Sequence, residues 1–410
     1  MDTEQQMNSV SGERLNKNSD HPYSVTSMTL ADGRELIYFD DDPDVLNGSV
    51  KRTLTDLREL PHAKTDSEIR RDPLSGEWVA YASHRMNRTF MPPANEDPLA
   101  PTVPDHLPTE IPSPNYDVVV FENRFPSFSM HMSRTLSTER NDGRVEQRSA
   151  DDDALLDNGM VPHRPAIARC EVICFTPDIS GSFKELPVNR IRTVIEAWAH
   201  RTKALSAIPE VRHVYPFENR GEEIGVTLQH PHGQIYSYPE IPPRIRNIVH
   251  SSKKYREENG SDLFDDLLSA ELEEGTRIID CTDHFVVFVP AAAKWPLEVM
   301  VMPRRSVPDF DALSQEERAD LAPLLKKLYT AVDKFFDGVE RTPYIASWNQ
   351  APTVPEDRDY VRLHLQLFSL MRSPHRLKYL AGSESGMGFW INDTTPEHIA
   401  QRFREIWDDK

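Results

Sequence analysis

The order of apolar segments in this 410-residue chain occurs twice, and that repetition limits the available folds more than any other feature. In the first pass Val118-Val119-Val120-Phe121 precedes an apolar run from Cys170 to Phe175. Residues Leu186 to Leu205 then place Ile191, Val194, Ile195, Trp198 and Leu205 at helical spacing, and His213 to Glu218 and Thr227 to Tyr236 read as strands. In the second pass Phe285 to Phe288, Leu297 to Pro303, a helix over Ser314 to Phe336, Tyr344 to Trp348 and Arg362 to Phe368 take the same places. Ser314 and Glu317 form a capping-box pattern, and Pro323 is placed to kink that helix. His364 falls opposite His232 and Gln366 opposite Gln234, but the second copy lacks the Pro and Gly of the first, which suits a supporting role. The expected architecture is α+β, with two similar halves over 28–240 and 241–410 behind a polar, disordered segment 1–27.

Between these landmarks, Met28 to Phe39 reads as a hairpin turning at Ala31-Asp32-Gly33-Arg34. Arg71 to Gly76 is a turn before a strand from Glu77 to Ser83, while Asp40 to Asp66 shows no clear pattern. Asn95 to Pro114 is a proline-rich loop, and 129–166, polar and carrying Asp151-Asp152-Asp153, is expected to be an exposed, mobile insertion. Pro242 to Leu268 is helical with a break at Asn259-Gly260. A glycine-rich loop over Lys378 to Gly388 leads to a last helix starting at Thr395-Pro396, with Ile399, Phe403 and Ile406 on one face.

A net charge of −19 argues against a general nucleic-acid or anionic-membrane binder, which needs a basic face. An anionic substrate requires cations gathered locally, and Arg85, Arg88, Arg124 and Lys378 are the candidates. Three cysteines make no disulfide framework, and Cys170 and Cys174 on one strand are too far apart to bond. The N-terminus lacks a signal pattern, and the longest apolar run, Phe285 to Ala293, is well short of the roughly 20 residues that span a bilayer. A cytoplasmic location is expected.

The chemistry concentrates in His230-Pro231-His232-Gly233-Gln234-Ile235-Tyr236. On a strand, His230, His232, Gln234 and Tyr236 share a face. Pro231 gives no ladder hydrogen bond, so the strand should lie at an edge or be disrupted there, and Gly233 leaves room for a close neighbour. Two histidines at this spacing suit a metal pair, a structural strand, or a nucleophilic imidazole beside an amide that steadies an anion, and spacing alone favours the metal.

The motif order resembles the transferase branch of the histidine-triad superfamily, the galactose-1-phosphate uridylyltransferases, whose hydrolase cousins carry a third His at Gln234. Phe217-Glu218-Asn219-Arg220-Gly221, Gly225 and Thr227 stand before the histidine run. Arg85, Arg88 and Phe121-Glu122-Asn123-Arg124-Phe125-Pro126 lie upstream, and Lys378 to Glu384 downstream, so the resemblance spans about residues 30 to 407. It implies histidine-triad-like halves forming a largely antiparallel half-barrel sheet flanked by helices. It implies His232 as nucleophile toward UDP-glucose, with Gln234, Thr227 and the backbone near Gly225 on the phosphoryl oxygens. Asn123, Arg124 and Asn219 would hold uridine and ribose, and Arg85, Arg88 and Lys378 would offset phosphate charge. A uridylyl-histidine would pass its group to galactose 1-phosphate, giving UDP-galactose and glucose 1-phosphate. The backbone carbonyl of His230 is a candidate to fix the His232 tautomer.

The same resemblance implies a homodimer in which Lys378, Tyr379, Ser383 and Glu384 reach the partner's site. It also implies structural zinc, but the four ligand positions carry Asp97, Ala100, Ile179 and His230, and those of a second metal carry Ile248, Asn349, His364 and Gln366. Both metals are therefore expected to be absent, with denser packing in their place, and no cofactor is required. Two rival readings are a phosphorylase acting on another nucleotide donor and a catalytically silent nucleotide sensor.

Overall fold

A computed structural model of the chain describes residues 14–15, 20–87, 92–93, 96–132, 137–139, 145–147, 154–155 and 159–408. The N-terminal part holds β1 (Arg14–Leu15), β2 (Ser24–Thr29), β3 (Glu35–Asp40), α1 (Pro43–Leu46), β4 (Glu68–Arg71), β5 (Trp78–Tyr81) and β6 (Val118–Glu122). Then come β7 (Ser137–Glu139), β8 (Val145–Gln147), β9 (Ala154–Leu155), β10 (Pro162–Pro165), β11 (Cys170–Cys174), α2 (Val188–Ser206), β12 (His213–Arg220) and β13 (His232–Tyr238). The second half begins with α3 (Pro243–Asn259), α4 (Leu263–Glu274), β14 (Ile278–Cys281), β15 (Phe285–Phe288), β16 (Leu297–Pro303) and α5 (Gln315–Lys334). It ends with β17 (Tyr344–Asn349), α6 (Pro355–Arg358), β18 (His364–Ser369), β19 (Met371–Ser373), β20 (Arg376–Leu377), α7 (Gly382–Met387) and α8 (Pro396–Trp407).

Twelve strands form one antiparallel sheet in the order β1-β2-β3-β6-β11-β13-β12-β17-β18-β16-β15-β14. The ten strands from β3 to β14 in this order read as a mirror about the β12–β17 seam, where Phe217 faces Ser347 and Arg220 faces Tyr344. The duplicated sequence thus becomes two four-strand units joined edge to edge, the first extended outward by β3, β2 and β1 and the second by β14. This open α+β sheet is the expected fold class, and it does not close into a barrel.

The strands are almost continuously apolar because both faces of the sheet are largely covered, one of them by α2 and α5. Ile191, Val194, Ile195 and Trp198 of α2 pack with Leu321, Leu325 and Leu328 of α5 against Val120, Ile173, Ile235 and Leu365. Glu196 of α2 accepts from Arg192 at 2.9 Å and from Arg318 of α5 at 2.6 Å, so the buried charges joining the helices are paired. The Ser314–Glu317 capping box is present, and α5 runs through Pro323 without interruption. On the opposite face, Leu99 and Ile111 of the proline-rich loop, with Tyr116 just after it, cover Tyr38, Val119 and Phe121. There α3 and α4, separated by a left-handed Gly260, cover the second half through Phe264 and Leu268.

Several expectations need correction. Order begins earlier than residue 28, because β2 starts at Ser24 and pairs with β3. The 227–236 strand starts only at His232, directly after Pro231; of the two expected outcomes at that proline, disruption holds and an edge position does not, because β13 is central. The ends of the 129–166 insertion are not exposed: β10 pairs with β4, and Ser129 and Ala166 are buried. Segments 133–136, 140–144, 148–153 and 156–158 of that insertion lie outside the described residues, as do 1–13 and 16–19. The glycine-rich loop contains a helical turn, α7, because Glu384 caps the Ala381 backbone N–H. Among the described residues no helix is long and apolar enough to cross a membrane.

Candidate active site

The uncovered part of the sheet, between the proline-rich loop and the segment 224–228, holds a cavity of about 400 Å³. Its floor comes from the alternating face of three strands, with Phe121 of β6, Val172 of β11, and His232, Gln234 and Tyr236 of β13. Phe217 and Asn219 reach it from β12, Gly225 and Thr227 from the following loop, and Arg85 from a short helical turn after β5. Asn123 and Arg124 stand at the end of β6. Eight of the expected site residues therefore line one cavity: Arg85, Asn123, Arg124, Asn219, Gly225, Thr227, His232 and Gln234. Arg88 lies outside the described residues.

His232 is set up as a base or nucleophile. Its Nδ1–H donates to the His230 carbonyl oxygen at 2.7 Å, as expected, which turns the Nε2 lone pair away from the backbone. Burial pulls the imidazole below its ordinary pKa, against the opposing pull of the His230 carbonyl, so the ring is neutral at pH 7. Among the described residues the side chains of Gln234, Asn219 and Thr227 have no hydrogen-bond partner within the chain. Polar groups left so in a concave site are available to a ligand. Gly225 adopts a left-handed φ of 80°, but its N–H donates to Glu222 O at 2.9 Å, so it shapes the loop rather than offering that donor to an anion.

Cations are aimed rather than free. Arg85 Nη1 donates to Ser127 Oγ at 2.7 Å, Phe125 O at 3.2 Å and Tyr236 Oη at 3.3 Å, leaving the rest of its guanidinium toward the cavity. Arg124 sits 3.5 Å from Glu110, whose buried carboxylate also binds Arg34 at 2.5 Å and Arg58 at 2.8 Å. Burial raises the Glu110 pKa, but Arg34 and Arg58 outweigh it and hold the carboxyl below its usual range. Glu110 was missed by sequence reasoning because nothing local marks a Thr-Glu-Ile in a loop. Phe217 and Tyr236 were recoverable from strand alternation with Asn219 and Gln234.

Lys378, Tyr379, Ser383 and Glu384 do not join this cavity within one chain; they line a separate surface hollow with Arg372, Arg376 and Asp393. Lys378 is buried, donates to Ile391 O and lies 3.5 Å from Glu384. Tyr379, Met387 and Phe389 on the same loop are largely exposed, Phe389 by 73%.

The zinc positions do not fit a metal. Ala100 and Ile179 offer no ligand atom, and His230 is not on the cavity face; it precedes the strand and its ring is buried. His230 Nδ1 lies 2.9 Å from Asp97 Oδ2, and Nε2 lies 2.8 Å from Thr176 O and 2.9 Å from Tyr116 Oη. A hydrogen-bonded cluster, not denser packing, occupies this corner. Among the described residues no three His, Cys, Asp or Glu side chains converge on a metal position.

The second copy repeats the pose without the opening. His364 Nδ1 donates to Arg362 O at 2.8 Å, but the ring is buried near Phe264 of α4 and its pKa is pushed down to about 4 by burial. Gln366 Nε2 donates to Glu298 at 2.5 Å, so the amide is tied off inside the chain and the imidazole is buried.

Residues 58–242 match the family model described as galactose-1-phosphate uridyl transferase, N-terminal domain, and residues 248–409 match its C-terminal domain. A galactose-1-phosphate uridylyltransferase of Streptomyces lividans is 38% identical over 397 residues, 93% of this chain and 98% of that protein. One from Thermotoga maritima is 33% identical over 82% of this chain and 98% of its own length. A solved structure described as a uridylyltransferase superposes with a TM-score of 0.68 at 30% identity, covering 82% of this chain and 98% of that one.

Proposed function

The chain belongs to the galactose-1-phosphate uridylyltransferase family of nucleotidyltransferases, and on that premise we propose a two-step uridylyl transfer through His232. His232 Nε2 attacks the α-phosphorus of UDP-glucose. A nitrogen–phosphorus bond forms as the bond to the β-phosphate oxygen breaks, and glucose 1-phosphate leaves. A phosphate oxygen of galactose 1-phosphate then attacks the same phosphorus and releases the ring, giving UDP-galactose. Splitting one displacement between two anions into two steps lets a single nucleophile serve both.

The observation that carries this reading is the contrast between the halves. The first leaves His232 Nε2 and the Gln234 amide in an open cavity, whereas the second ties off or buries the matching groups. Gln234 and Thr227 supply donors for the phosphoryl oxygens, and Arg85 offsets negative charge. Asn123, Arg124 and Asn219 take the uridine and ribose. The apolar floor of Phe121 and Val172 suits a flat base. No metal enters the chemistry.

The exposed apolar loop around Tyr379 and Phe389 supports a homodimer in which this loop enters the partner's cavity. Lys378 and Glu384 would then exchange their mutual contact for substrate phosphate and sugar, with Ser383 beside them.

Isotope exchange tests the two-step scheme. Labelled glucose 1-phosphate should enter UDP-glucose with no galactose 1-phosphate present, and exchange that requires the second sugar would defeat a covalent intermediate. Consumption of ADP-glucose with UDP-glucose untouched would redirect the assignment to a phosphorylase.

A further inference from the structure

We propose that Asp97 is a positioning residue for the transfer step, acting through the His230 ring on the backbone carbonyl that orients His232. The inference rests on the reading of His232 as the nucleophile. It begins with a backbone problem. Residues 226–231 belong to no helix or strand, so no ladder fixes the His230 carbonyl, and Pro231 brings no N–H of its own. Yet that carbonyl sets the direction of the His232 ring at 2.7 Å.

What holds it is the His230 side chain. Asp97 binds Nδ1 at 2.9 Å from the proline-rich loop, while Thr176 O at 2.8 Å and Tyr116 Oη at 2.9 Å hold Nε2 from the segments flanking β11 and β6. Tyr116 Oη also donates to Thr176 O at 2.7 Å, closing the cluster. All three side chains are buried. The ring is thus held from both sides, by the Asp97 carboxyl at Nδ1 and by Thr176 O and Tyr116 Oη at Nε2. The resulting strut runs from Asp97 through the His230 ring and carbonyl to His232 Nδ1. Removing the Asp97 side chain leaves the ring without its partner at Nδ1, so the ring and the carbonyl it braces are free to turn; an amide at the same place can still bond Nδ1.

The test uses full-length Asp97→Ala, which removes the partner of Nδ1, beside Asp97→Asn, which can restore it, and Tyr116→Phe, which removes one hydroxyl. The measurements are single-turnover uridylylation by UDP-glucose, UDP-glucose affinity, melting temperature and the nitrogen-15 tautomer signature of His232. Expected for Asp97→Ala is a folded protein with nearly unchanged affinity, transfer slowed by about 10-fold or more, and loss of the fixed Nδ1–H signal, with recovery in Asp97→Asn; partner loss at an oriented histidine has effects of this size. Tyr116→Phe should move the same quantities less. An unchanged rate, or a rate that falls only in step with affinity and melting temperature, would overturn the proposal. So would an equivalent of tightly bound metal that disappears with Asp97→Ala. If the wild-type protein forms no uridylyl adduct at all, the failure belongs to the assignment of His232, not to the strut.

Discussion

Replacing Gly233 by Ala should damage fold and chemistry together. Gly233 points away from the cavity, between His232 and Gln234, toward the helix-covered face. A Cβ built there stands 2.9 Å from Phe175 Cζ, 3.0 Å from the Phe217 carbonyl oxygen and 3.2 Å from Ile173 Cγ2. The first contact is about 0.6 Å short of an ordinary carbon–carbon separation. The Phe175 ring is locked edge-on against Phe183, 5.2 Å between centroids, so it cannot swing aside freely. The Phe217 carbonyl is backbone, in register with Gln234, so moving it opens the β12–β13 ladder under the amide. Overpacking of this kind costs about 1–3 kcal/mol. A displacement of a few tenths of an ångström at the neighbouring His232 should slow transfer by roughly 10-fold, since a misplacement of about 1 Å can cost about 100-fold. Urea unfolding and single-turnover uridylylation measure the two effects. A variant with the wild-type midpoint and full rate would show that the strand has slack the packing does not suggest.

Other outcomes follow from buried charge and exposed surface. Burial pushes the His213 imidazole down to about 3, while an unfolded histidine titrates near 6.5. Below pH 6.5 the unfolded chain therefore binds a proton that the folded one refuses, so stability should drain as pH falls from 6.5 toward 3; His213→Phe should flatten that slope in unfolding midpoints taken across pH. Glu171 is fully buried; Arg201 binds its two oxygens at 2.9 and 2.6 Å, and Arg169 stands 2.7 Å from one of them. Because Arg169 remains, Arg201→Met should cost about 1–3 kcal/mol by urea unfolding, with partial recovery on adding Glu171→Gln; a neutral single variant would contradict the pairing. Phe389→Asp should turn a dimer into a monomer in light scattering and abolish transfer, whereas an active monomer would refute the shared site.

The sequence made the duplication legible because period and apolar runs survive where identity does not: Val118–Phe121 and Phe285–Phe288 both became strands next to the long helices. Eight of the expected site residues line one cavity, since most sit on or next to strands whose alternation fixes their face. Two things were out of reach. Where a strand begins after a proline depends on tertiary ladder partners, so His230 was put on the cavity face rather than in its buried corner. Long-range polar partners such as Asp97 for His230, 133 residues apart, or Glu110 for three arginines leave no local pattern. The covered second copy was suggested by its apolar strand, but its occlusion by Phe264 comes from a helix whose path no motif encodes.

The most direct test is intact-mass and peptide-mapping spectrometry of the protein mixed with UDP-glucose. One added uridine monophosphate on His232, discharged by galactose 1-phosphate and missing from His232→Ala, is the expected result. No adduct, together with full turnover by His232→Ala, would contradict it.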